Sequence, residues 1–251
     1  MNVVTIMNYD FKRREDVVMC LMWAHSVSKA CPRDRNIIVL SDKPLPAFLL
    51  DFMTQYGVRN EVCGVYGDGS LHHNYRFKLY NLSHLDFPFI FLDADMFVMG
   101  SLQYLWDKRN DKPWIGIDHQ LGIPGHTGKR RFLNSGLQIV GDNSFYDFNA
   151  IIRCAKDNNF QYAVPGKDQA ALWTYFQSIG YDYTHEAVGP EWNACAGYVE
   201  LEEDDLSYWH GRYTLEDYPV YINHYWDQFK PHLIGCPAYA WYDKNVPKRL
   251  A

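Results

Sequence analysis

The chain has 251 residues, and its content of 47% hydrophobic and 22% charged residues is typical of a folded globular protein. A formal net charge of -6 argues against nucleic-acid binding by phosphate neutralisation. The six cysteines form no Cys-x-x-Cys pair, which in a chain this long predicts reduced, buried thiols. The chain opens with a strand pattern instead of a signal peptide, and no apolar run approaches the roughly 20 residues of a membrane span. We therefore expect a cytoplasmic protein without a transmembrane segment.

Strand and helix patterns alternate over the first part of the chain. Apolar residues recur at helical spacing between residues 16 and 30, and Pro32 ends that helix. The predicted elements are a strand at 3–7, a helix at 16–30, a strand at 37–40, a helix at 47–56, a strand at 61–65 and a helix at 75–82. This β-α-β-α-β order predicts a parallel sheet with crossover helices.

An apolar run at 88–92 leads directly into Asp93 and Asp95. Such a run is typical of a strand buried on both faces, and open α/β sheets bind ligands at the carboxyl ends of their strands. Because side chains alternate along a strand, the two carboxylates are expected to point the same way. They would repel each other by about 4 kcal/mol near a protein surface, and a divalent cation would offset this. Oxygen ligands favour Mg²⁺ or Mn²⁺ over zinc; the alternative interpretation is two surface acids in a turn.

The pattern after the two aspartates is less regular. The predicted elements are a helix at 101–106, a strand at 114–117 ending at Asp118, a loop at 122–131, a strand at 137–140, a helix at 145–156, a helix at 167–178 and a strand at 220–222. Residues 181–219 are aromatic and acidic, and the acidic run at 202–205 is expected to be solvated. With no internal repeat or clear linker, the chain is predicted to form one domain.

Several other polar side chains are candidates for the same site. His224 leaves the predicted strand at 220–222 and could be a third metal ligand, since an Asp/Asp/His set suits Mn²⁺; taken alone, a structural histidine is the simpler interpretation. Lys230 could bind phosphate. Arg76 and Lys78 lie on the helix before the aspartates, where they could neutralise a diphosphate or simply be solvated.

Two short motifs later in the chain are also suited to ligand binding. Asn134 stands in an Asn-Ser-Gly sequence before the strand at 137–140, where glycine permits close approach of the backbone to a ligand; the alternative is an ordinary turn. Asp168 and Gln169 open the helix at 167–178. A carboxylate in a first helical turn is favoured by the helix dipole, so capping and catalysis explain Asp168 equally well.

Taken in order, these pieces resemble the retaining nucleotide-sugar glycosyltransferases of the glycogenin and bacterial lipopolysaccharide galactosyltransferase kind, a family 8-like group. The resemblance extends from residue 4 to residue 231. The matching elements are Val4-Thr5, Asn8-Tyr9-Asp10, Phe77-Lys78-Leu79, Phe91-Leu92-Asp93-Ala94-Asp95, Leu133-Asn134-Ser135-Gly136, Asp168-Gln169, His224 and Lys230-Pro231. The last motif departs from the family pattern, because His224-Tyr225 and Lys230-Pro231-His232 stand where His-Phe and Lys-Pro-Trp are usual.

The resemblance implies a GT-A fold, an α/β fold in which helices flank a Rossmann-like, mostly parallel central sheet and the acceptor-side half is mixed. One glycosyltransferase domain would span 1–251, with a nucleotide-binding half at 1–100 and a donor-sugar and acceptor half at 101–251. Asp93, Asp95 and His224 would hold Mn²⁺ or Mg²⁺. The partners would be a UDP-sugar donor and a carbohydrate or other hydroxyl acceptor, with transfer that retains configuration.

The resemblance also assigns individual roles. Asp168 and Asn134 would be the catalytic residues. The nucleotide- and donor-binding residues would be Asn8, Tyr9, Arg76, Lys78, Asp93, Ala94, Asp118, Gln169 and Lys230. If the reaction instead inverts configuration, Asp168 is the candidate general base.

Two functions of other classes compete with sugar transfer. A haloacid dehalogenase-like, Mg²⁺-dependent phosphatase also places Asp-x-Asp after an apolar strand. Its motif usually lies near the N-terminus, whereas this one begins at residue 93 and no later Asp-Asp pair follows a strand. A non-catalytic carbohydrate-binding protein would use the 16% aromatic content, since flat rings are platforms for sugars, but would leave the two carboxylates unexplained.

Overall fold

The structure, a computed structural model, describes residues 1–64, 71–109, 114–118, 132–142, 144, 146–157, 167–181, 187–188, 192–195, 200–201, 213–215, 218–225, 230–233 and 236–245. Its strands are β1 (Asn2–Ile6), β2 (Asn36–Ser41), β3 (Val58–Val62), β4 (Phe89–Leu92), β5 (Met96–Val98), β6 (Trp114–Asp118), β7 (Phe132–Val140), β8 (Ala187–Val188), β9 (Ala194–Cys195), β10 (Glu200–Leu201), β11 (Tyr213–Leu215), β12 (Tyr218–Pro219) and β13 (Ile222–His224). Its helices are α1 (Arg14–Ala30), α2 (Ala47–Gln55), α3 (His73–Ser83), α4 (Gln103–Asp107), α5 (Phe148–Asp157), α6 (Lys167–Ser178) and α7 (Pro237–Asn245). The predicted loop at 122–131 and the acidic run at 202–205 lie outside the described residues.

Seven strands form a central sheet in the order β3-β2-β1-β4-β7-β6-β8. The first four are parallel, and α1, α2 and α3 are their crossover connections. Strand β7 is antiparallel to both β4 and β6, and β8 is parallel to β6. The sheet is therefore mostly parallel, as predicted. The carboxyl ends of β1, β2, β4 and β6 lie along one edge of it.

Helices cover both faces of the sheet and create two hydrophobic cores. Val3 of β1 belongs to the core that contains the fully buried Trp23 of α1. The next residue, Val4, belongs to the core that contains Phe77 of α3. This alternation explains why the parallel strands are nearly continuous apolar runs, since residues on both faces are buried. Burial of one such large side chain contributes about 1.5–3 kcal/mol.

A smaller sheet joins the carboxyl edge of the central one. Strand β13 lies in its middle, antiparallel to β5 and parallel to β9. A turn at 93–95 connects β4 of the central sheet to β5 of the small sheet, so this short turn joins the two sheets. The small sheet is anchored to α1, because the N–H of Val98 donates to the hydroxyl of Ser26 at 3.2 Å. Strands β10, β11 and β12 form a separate antiparallel sheet.

The structure corrects several predicted boundaries. Strand β3 begins at Val58 instead of 61, because Gly57 adopts a φ of 72° and turns the chain immediately after α2. Strand β7 begins at Phe132 instead of 137, since its pairing with β6 extends to Asp118. The Asn-Ser-Gly motif therefore lies inside a strand and not at its start. Helix α5 begins at Phe148 instead of 145.

Two corrections concern the C-terminal part of the chain. The last strand spans Ile222–His224 instead of 220–222, because its pairing with β5 places His224 opposite Met96. Helix α7 was not predicted at all. It packs on α1, where Tyr242 lies edge-on to His25 with the ring centroids 5.9 Å apart.

For five of the six cysteines the structure confirms the predicted free thiols, but only three of these are buried as predicted. The five cysteines whose side chains the structure describes are free thiols; Cys20, Cys31 and Cys236 are buried, whereas Cys63 and Cys154 are half-buried. Within the described ranges, no helix is both long enough and apolar enough to cross a membrane.

Candidate active site

The two aspartates occupy the turn between β4 and β5, which backbone hydrogen bonds fix from both sides. The N–H of Asp93 donates to the carbonyl of Gly136 in β7 at 2.8 Å, and the N–H of Met96 donates to the carbonyl of Asp93 at 3.1 Å. The N–H of Tyr225, just after β13, donates to the carbonyl of Asp95 at 2.9 Å. The turn is thus held between strands that are distant in sequence.

His224 meets both aspartates, as predicted. It is the last residue of β13 and only 4% exposed. Its Nε2 lies 3.3 Å from Oδ1 of Asp95 and 3.9 Å from Oδ2 of Asp93. One ligand atom from each of the three residues lies within 4.8 Å of the others.

This triad fits a hard divalent cation. An ion about 2.0–2.2 Å from each ligand holds its ligands at most roughly 4.4 Å apart, and the 3.3 and 3.9 Å distances from Nε2 of His224 to the two carboxylates lie within that limit. Two carboxylate oxygens and one imidazole nitrogen, without thiolate, suit Mn²⁺ or Mg²⁺ better than soft metals. Both carboxylates keep some solvent access, with side-chain exposures of 31% for Asp93 and 14% for Asp95, so a ligand could complete the coordination.

The two carboxylates have different electrostatic surroundings. Burial raises the pKa of Asp93, and the neighbouring Asp95 raises it further against the opposing effect of Lys78. Burial acts in the same direction on Asp95, but His224 and the hydrogen-bonded ammonium group of Lys230 hold the pKa of Asp95 below its usual range. Asp95 is therefore the more firmly ionised of the two.

Lys78 is a buried cation that links Asp93 to Asp168. Its Nζ lies 3.0 Å from Oδ1 of Asp93 and 3.0 Å from Oδ2 of Asp168, and it donates to the carbonyl of Ser135 at 3.0 Å. Burial acts to lower the pKa of Lys78, but Asp168 and Asp93 together raise it above its usual value. The lysine is thus charged and shared between the metal triad and the first turn of α6.

Asp168 is a buried, ionised carboxylate that contacts Lys78 and Ser135. Burial acts to raise its pKa, but Lys78 and the hydroxyl of Ser135, which donates at 2.9 Å, lower the pKa below its usual value. Its carboxylate contacts Lys78 and Ser135 beside the aspartate turn, so Asp168 lies next to the metal triad as well as in the first turn of α6.

Asn134 and Gln169 flank Ser135. The carboxamide oxygen of Asn134 accepts a hydrogen bond from the N–H of Gly136 at 2.8 Å, and Asn134 is buried. The carboxamide oxygen of Gln169 accepts from the N–H of Ser135 at 3.2 Å. Both side chains therefore lie on the β7 segment that supports the aspartate turn.

Asn8 and Tyr9 follow β1 at the same edge of the sheet. The carboxamide oxygen of Asn8 accepts from the N–H of Asp42 at 2.9 Å, whereas its Nδ2 is buried and has no hydrogen-bond partner among the described residues. Asp42 in turn contacts Nε2 of His73 at 2.9 Å. Burial raises the pKa of Tyr9 well above its ordinary value, and the charge of Asp95 adds to the increase.

The remaining predicted residues are placed as follows. Ala94 is buried between the two aspartates. Arg76 is half-buried on α3, two residues before Lys78. Asp118 is the last residue of β6 and is paired with Phe132, so its backbone lies at the same edge as Asp93; its side chain is outside the described part of the chain.

Two contributors were missed as site residues. Ser135 belongs to the Asn-Ser-Gly motif, which was the signal that could have identified it. Asn193 precedes β9, and its Oδ1 lies 2.9 Å from Nδ1 of His224. The sequence around Asn193 lies in the part of the chain with weak patterns, and no local motif marks it.

An Asp-x-Asp turn at the carboxyl edge of a mostly parallel sheet, joined to a small mixed sheet, defines the GT-A class of fold. The galactosyltransferase LgtC, solved with donor and acceptor sugar analogues, is similar at a TM-score of 0.66 and 16% identity, over 99% of this chain and 98% of that chain. The glycosyltransferase GlyE of Streptococcus pneumoniae TIGR4 is similar at a TM-score of 0.59 and 16% identity, over 96% of this chain and 59% of its own. The bifunctional glycosyltransferase WbbM is similar at a TM-score of 0.61 and 13% identity, over 98% of this chain and 50% of that chain.

These likenesses confirm the fold that the sequence resemblance implied. No protein-family model matches the chain, and no curated protein matches it. At 13–16% identity, the structural neighbours establish the fold alone, which is the GT-A fold. What the site does is a separate question, which depends on its own residues.

Proposed function

We propose that this chain is a metal-dependent glycosyltransferase that moves a sugar from a nucleoside diphosphate donor, a UDP-sugar, to a hydroxyl group of a carbohydrate or similar acceptor. The observation that carries the proposal is the convergence of Asp93, Asp95 and His224 at the carboxyl edge of the sheet, with Lys230 on Asp95. The fold of LgtC, which was solved with donor and acceptor sugar analogues, supports it.

The triad and the two lysines are suited to a diphosphate leaving group. A bound Mn²⁺ or Mg²⁺ would act as a Lewis acid that stabilises the charge developing on that diphosphate. Lys230 contacts Asp95 directly, so its ammonium group lies where it could also contact phosphate oxygens next to the metal. Lys78 keeps Asp93 oriented from the opposite side.

The hydrogen bonding of Asn8 supports the proposal that a nucleotide binds at the end of β1. Because its carboxamide oxygen already accepts from the N–H of Asp42, the amide presents Nδ2 as a donor, and that donor has no partner within the described ranges. A buried donor without a partner costs about 1–3 kcal/mol, which a carbonyl oxygen of a base such as uracil would relieve. Tyr9, Arg76, Gln169, Ala94 and Asp118 remain proposed donor-side residues on the resemblance and their places at this edge.

The state of Asp168 supports transfer with retention. A general base works best with a pKa near the working pH, whereas Lys78 and Ser135 lower the pKa of Asp168 below its usual value. An ionised carboxylate of low basicity would orient the substrates and stabilise positive charge at the reacting carbon instead of deprotonating the acceptor. Asn134, on the strand beside it, is the proposed second catalytic residue.

The proposed function also assigns a binding role to each of the two parts of the chain. Residues 1–100 would bind the nucleotide, because they supply the parallel strands and the aspartate turn. Residues 101–251 would bind the donor sugar and the acceptor, and they contribute His224 and Lys230 to the metal end. Both parts would belong to one glycosyltransferase domain.

Calorimetric titration of UDP into metal-free protein, with and without Mn²⁺, tests this proposal. Binding that requires Mn²⁺ is the expected result, and metal-dependent turnover of UDP-sugars should follow. If UDP binds in neither condition, the proposal is wrong. Hydrolysis of simple phosphate monoesters without turnover of any nucleotide sugar would favour the phosphatase alternative.

A further inference from the structure

Asn193 is held beside His224 by the small sheet. It immediately precedes β9, and β9 pairs with β13 so that Cys195 lies opposite His224. Asn193 is 1% exposed, and its Oδ1 lies 2.9 Å from Nδ1 of His224. Strand β13 thus lies between the strand that follows Asp95 and the strand that follows Asn193.

The hydrogen bond determines which face of the imidazole is available to a cation. A carboxamide oxygen can only accept, so Nδ1 of His224 must carry a proton to donate to it. In the neutral ring, Nε2 then has a lone pair, which is directed at Oδ1 of Asp95 across 3.3 Å. Without metal, a proton on Nε2 can bridge the two atoms as a hydrogen bond, and a metal ion that takes the place of this proton would make both atoms ligands.

We propose that Asn193 is a positioning residue for the metal site, where its Oδ1 holds His224 as the tautomer whose Nε2 can bind the metal. This inference rests on the metal role of His224 in the proposed function. Asn193 contacts the ring at the nitrogen opposite the triad, so it acts through His224 and does not itself reach the ion. Ligand histidines are commonly oriented by such a second hydrogen bond, and its loss costs about 10- to 100-fold in metal affinity.

A purely structural role for Asn193 makes a different prediction from a positioning role. An aspartate at 193 can accept the same hydrogen bond but adds a buried charge, whereas a leucine fills the space but cannot accept. If Asn193 only fills space, Asn193→Leu should be the milder change and Asn193→Asp the more harmful one. If it positions His224, the order of metal affinities should be the reverse.

The experiment is calorimetric titration of Mn²⁺ into the wild type, Asn193→Asp and Asn193→Leu, together with thermal unfolding without metal. Asn193→Asp should bind Mn²⁺ within about threefold of the wild type, and Asn193→Leu about 10- to 100-fold more weakly. Asn223 provides a matched control, because it is an equally buried asparagine in β13 on the alternate face from His224. Asn223→Leu should change Mn²⁺ affinity by less than about threefold.

A second measurement reads the tautomer directly. Long-range proton–nitrogen NMR of the metal-free protein, at a pH high enough for the His224 ring to be neutral and with its signals assigned from a His224→Gln variant, should show the proton on Nδ1 in the wild type and in Asn193→Asp. Asn193→Leu should lose this preference. Equal Mn²⁺ affinity and the same tautomer in all three proteins would overturn the role of Asn193 and leave the proposed function intact. Absence of Mn²⁺ binding by the wild type would overturn the proposed metal role itself.

Discussion

Gly136 leaves the space that the imidazole ring of His224 occupies. A Cβ atom added at Gly136 would lie 2.6 Å from Cε1 of His224, closer than non-bonded carbon atoms approach each other. It would also lie 2.9 Å from Oδ1 of Asn134. The absence of a side chain in the middle of β7 is therefore a requirement of the metal triad and not of strand formation.

We expect Gly136→Ala to weaken metal binding. The added methyl group forces His224 away from Asp93 and Asp95, and overpacking of this kind costs about 1–3 kcal/mol of stability. Titration of Mn²⁺ should show a loss of affinity of at least about tenfold. Gly100→Ala is the matched control, because its Cβ would lie 2.7 Å from a ring carbon of Tyr221 but would not contact the triad. If both variants lose Mn²⁺ affinity equally, the loss does not arise from contact between the added methyl group and His224.

The two aspartates should respond unequally when they are neutralised in metal-free protein. Burial and Asp95 raise the pKa of Asp93 while Lys78 opposes them, so Asp93→Asn should change the melting temperature less than Asp95→Asn does. The pKa of Asp95 is lowered, so its ionised form stabilises the fold and Asp95→Asn should lower the melting temperature.

Both substitutions should nevertheless weaken Mn²⁺ binding by about 100-fold and abolish metal-dependent turnover, since each replaces an anionic ligand by a neutral carboxamide. Calorimetry with Mn²⁺ and thermal unfolding at pH 7 are the measurements. The exposed Asp51 of α2 provides a control, and Asp51→Asn should change neither quantity. Retention of activity by Asp95→Asn would contradict the metal role assigned to the turn.

Local sequence patterns were sufficient to predict the parallel strands β1 to β4 of the central sheet and the aspartate turn. An apolar run such as 89–92 must be buried on both faces, and such a run can be recognised from consecutive residues alone. The turn at Asp93 and Asp95 follows directly from the end of that run. Boundaries such as that of β7 were wrong because they depend on pairing with β6, which the local pattern does not contain.

Local sequence patterns could not predict the contacts between distant parts of the chain. His224 reaches the aspartates because β13 pairs with β5. The local pattern made His224 a candidate ligand but left a structural histidine as the simpler interpretation, and the family resemblance alone assigned it to the metal. Lys78 was predicted as a donor-side cation, but its contact with Asp168 depends on how α3 lies against α6. Asn193 carried no signal, since it lies beside a strand of two residues in a segment without a clear period.

Lys230 should matter more for nucleotide binding than for folding. Its ion pair with Asp95 is partly exposed, so Lys230→Ala should cost about 1 kcal/mol or less of stability without ligand. A charge-assisted hydrogen bond to phosphate is worth about 1.5–3 kcal/mol, so UDP affinity in the presence of Mn²⁺ should fall about 10- to 100-fold. Lys244→Ala, on the exposed face of α7, is the matched control and should leave UDP binding unchanged. Equal losses of stability and UDP affinity in Lys230→Ala would indicate a structural lysine.

The buried pair of Asp168 and Lys78 should make stability depend on pH in the acid range. Because the pKa of Asp168 is lowered in the folded state, the unfolded chain takes up the proton first as the pH falls below about 3.9. Its contribution to stability is therefore complete well above that pH and is lost as the pH falls through the folded-state value. Asp168→Asn should cost about 3 kcal/mol at pH 7, as the breaking of a buried pair does.

Denaturant unfolding of metal-free wild type and Asp168→Asn between pH 7 and pH 3 measures this effect. The difference in unfolding free energy between the two proteins should be largest at pH 7 and should shrink toward pH 3, because the wild-type carboxyl group is then increasingly protonated in the unfolded chain. A difference that stays constant over this range would mean that Asp168 acts through packing and hydrogen bonding alone. Its charge would then have no part in holding Lys78 between the metal triad and α6.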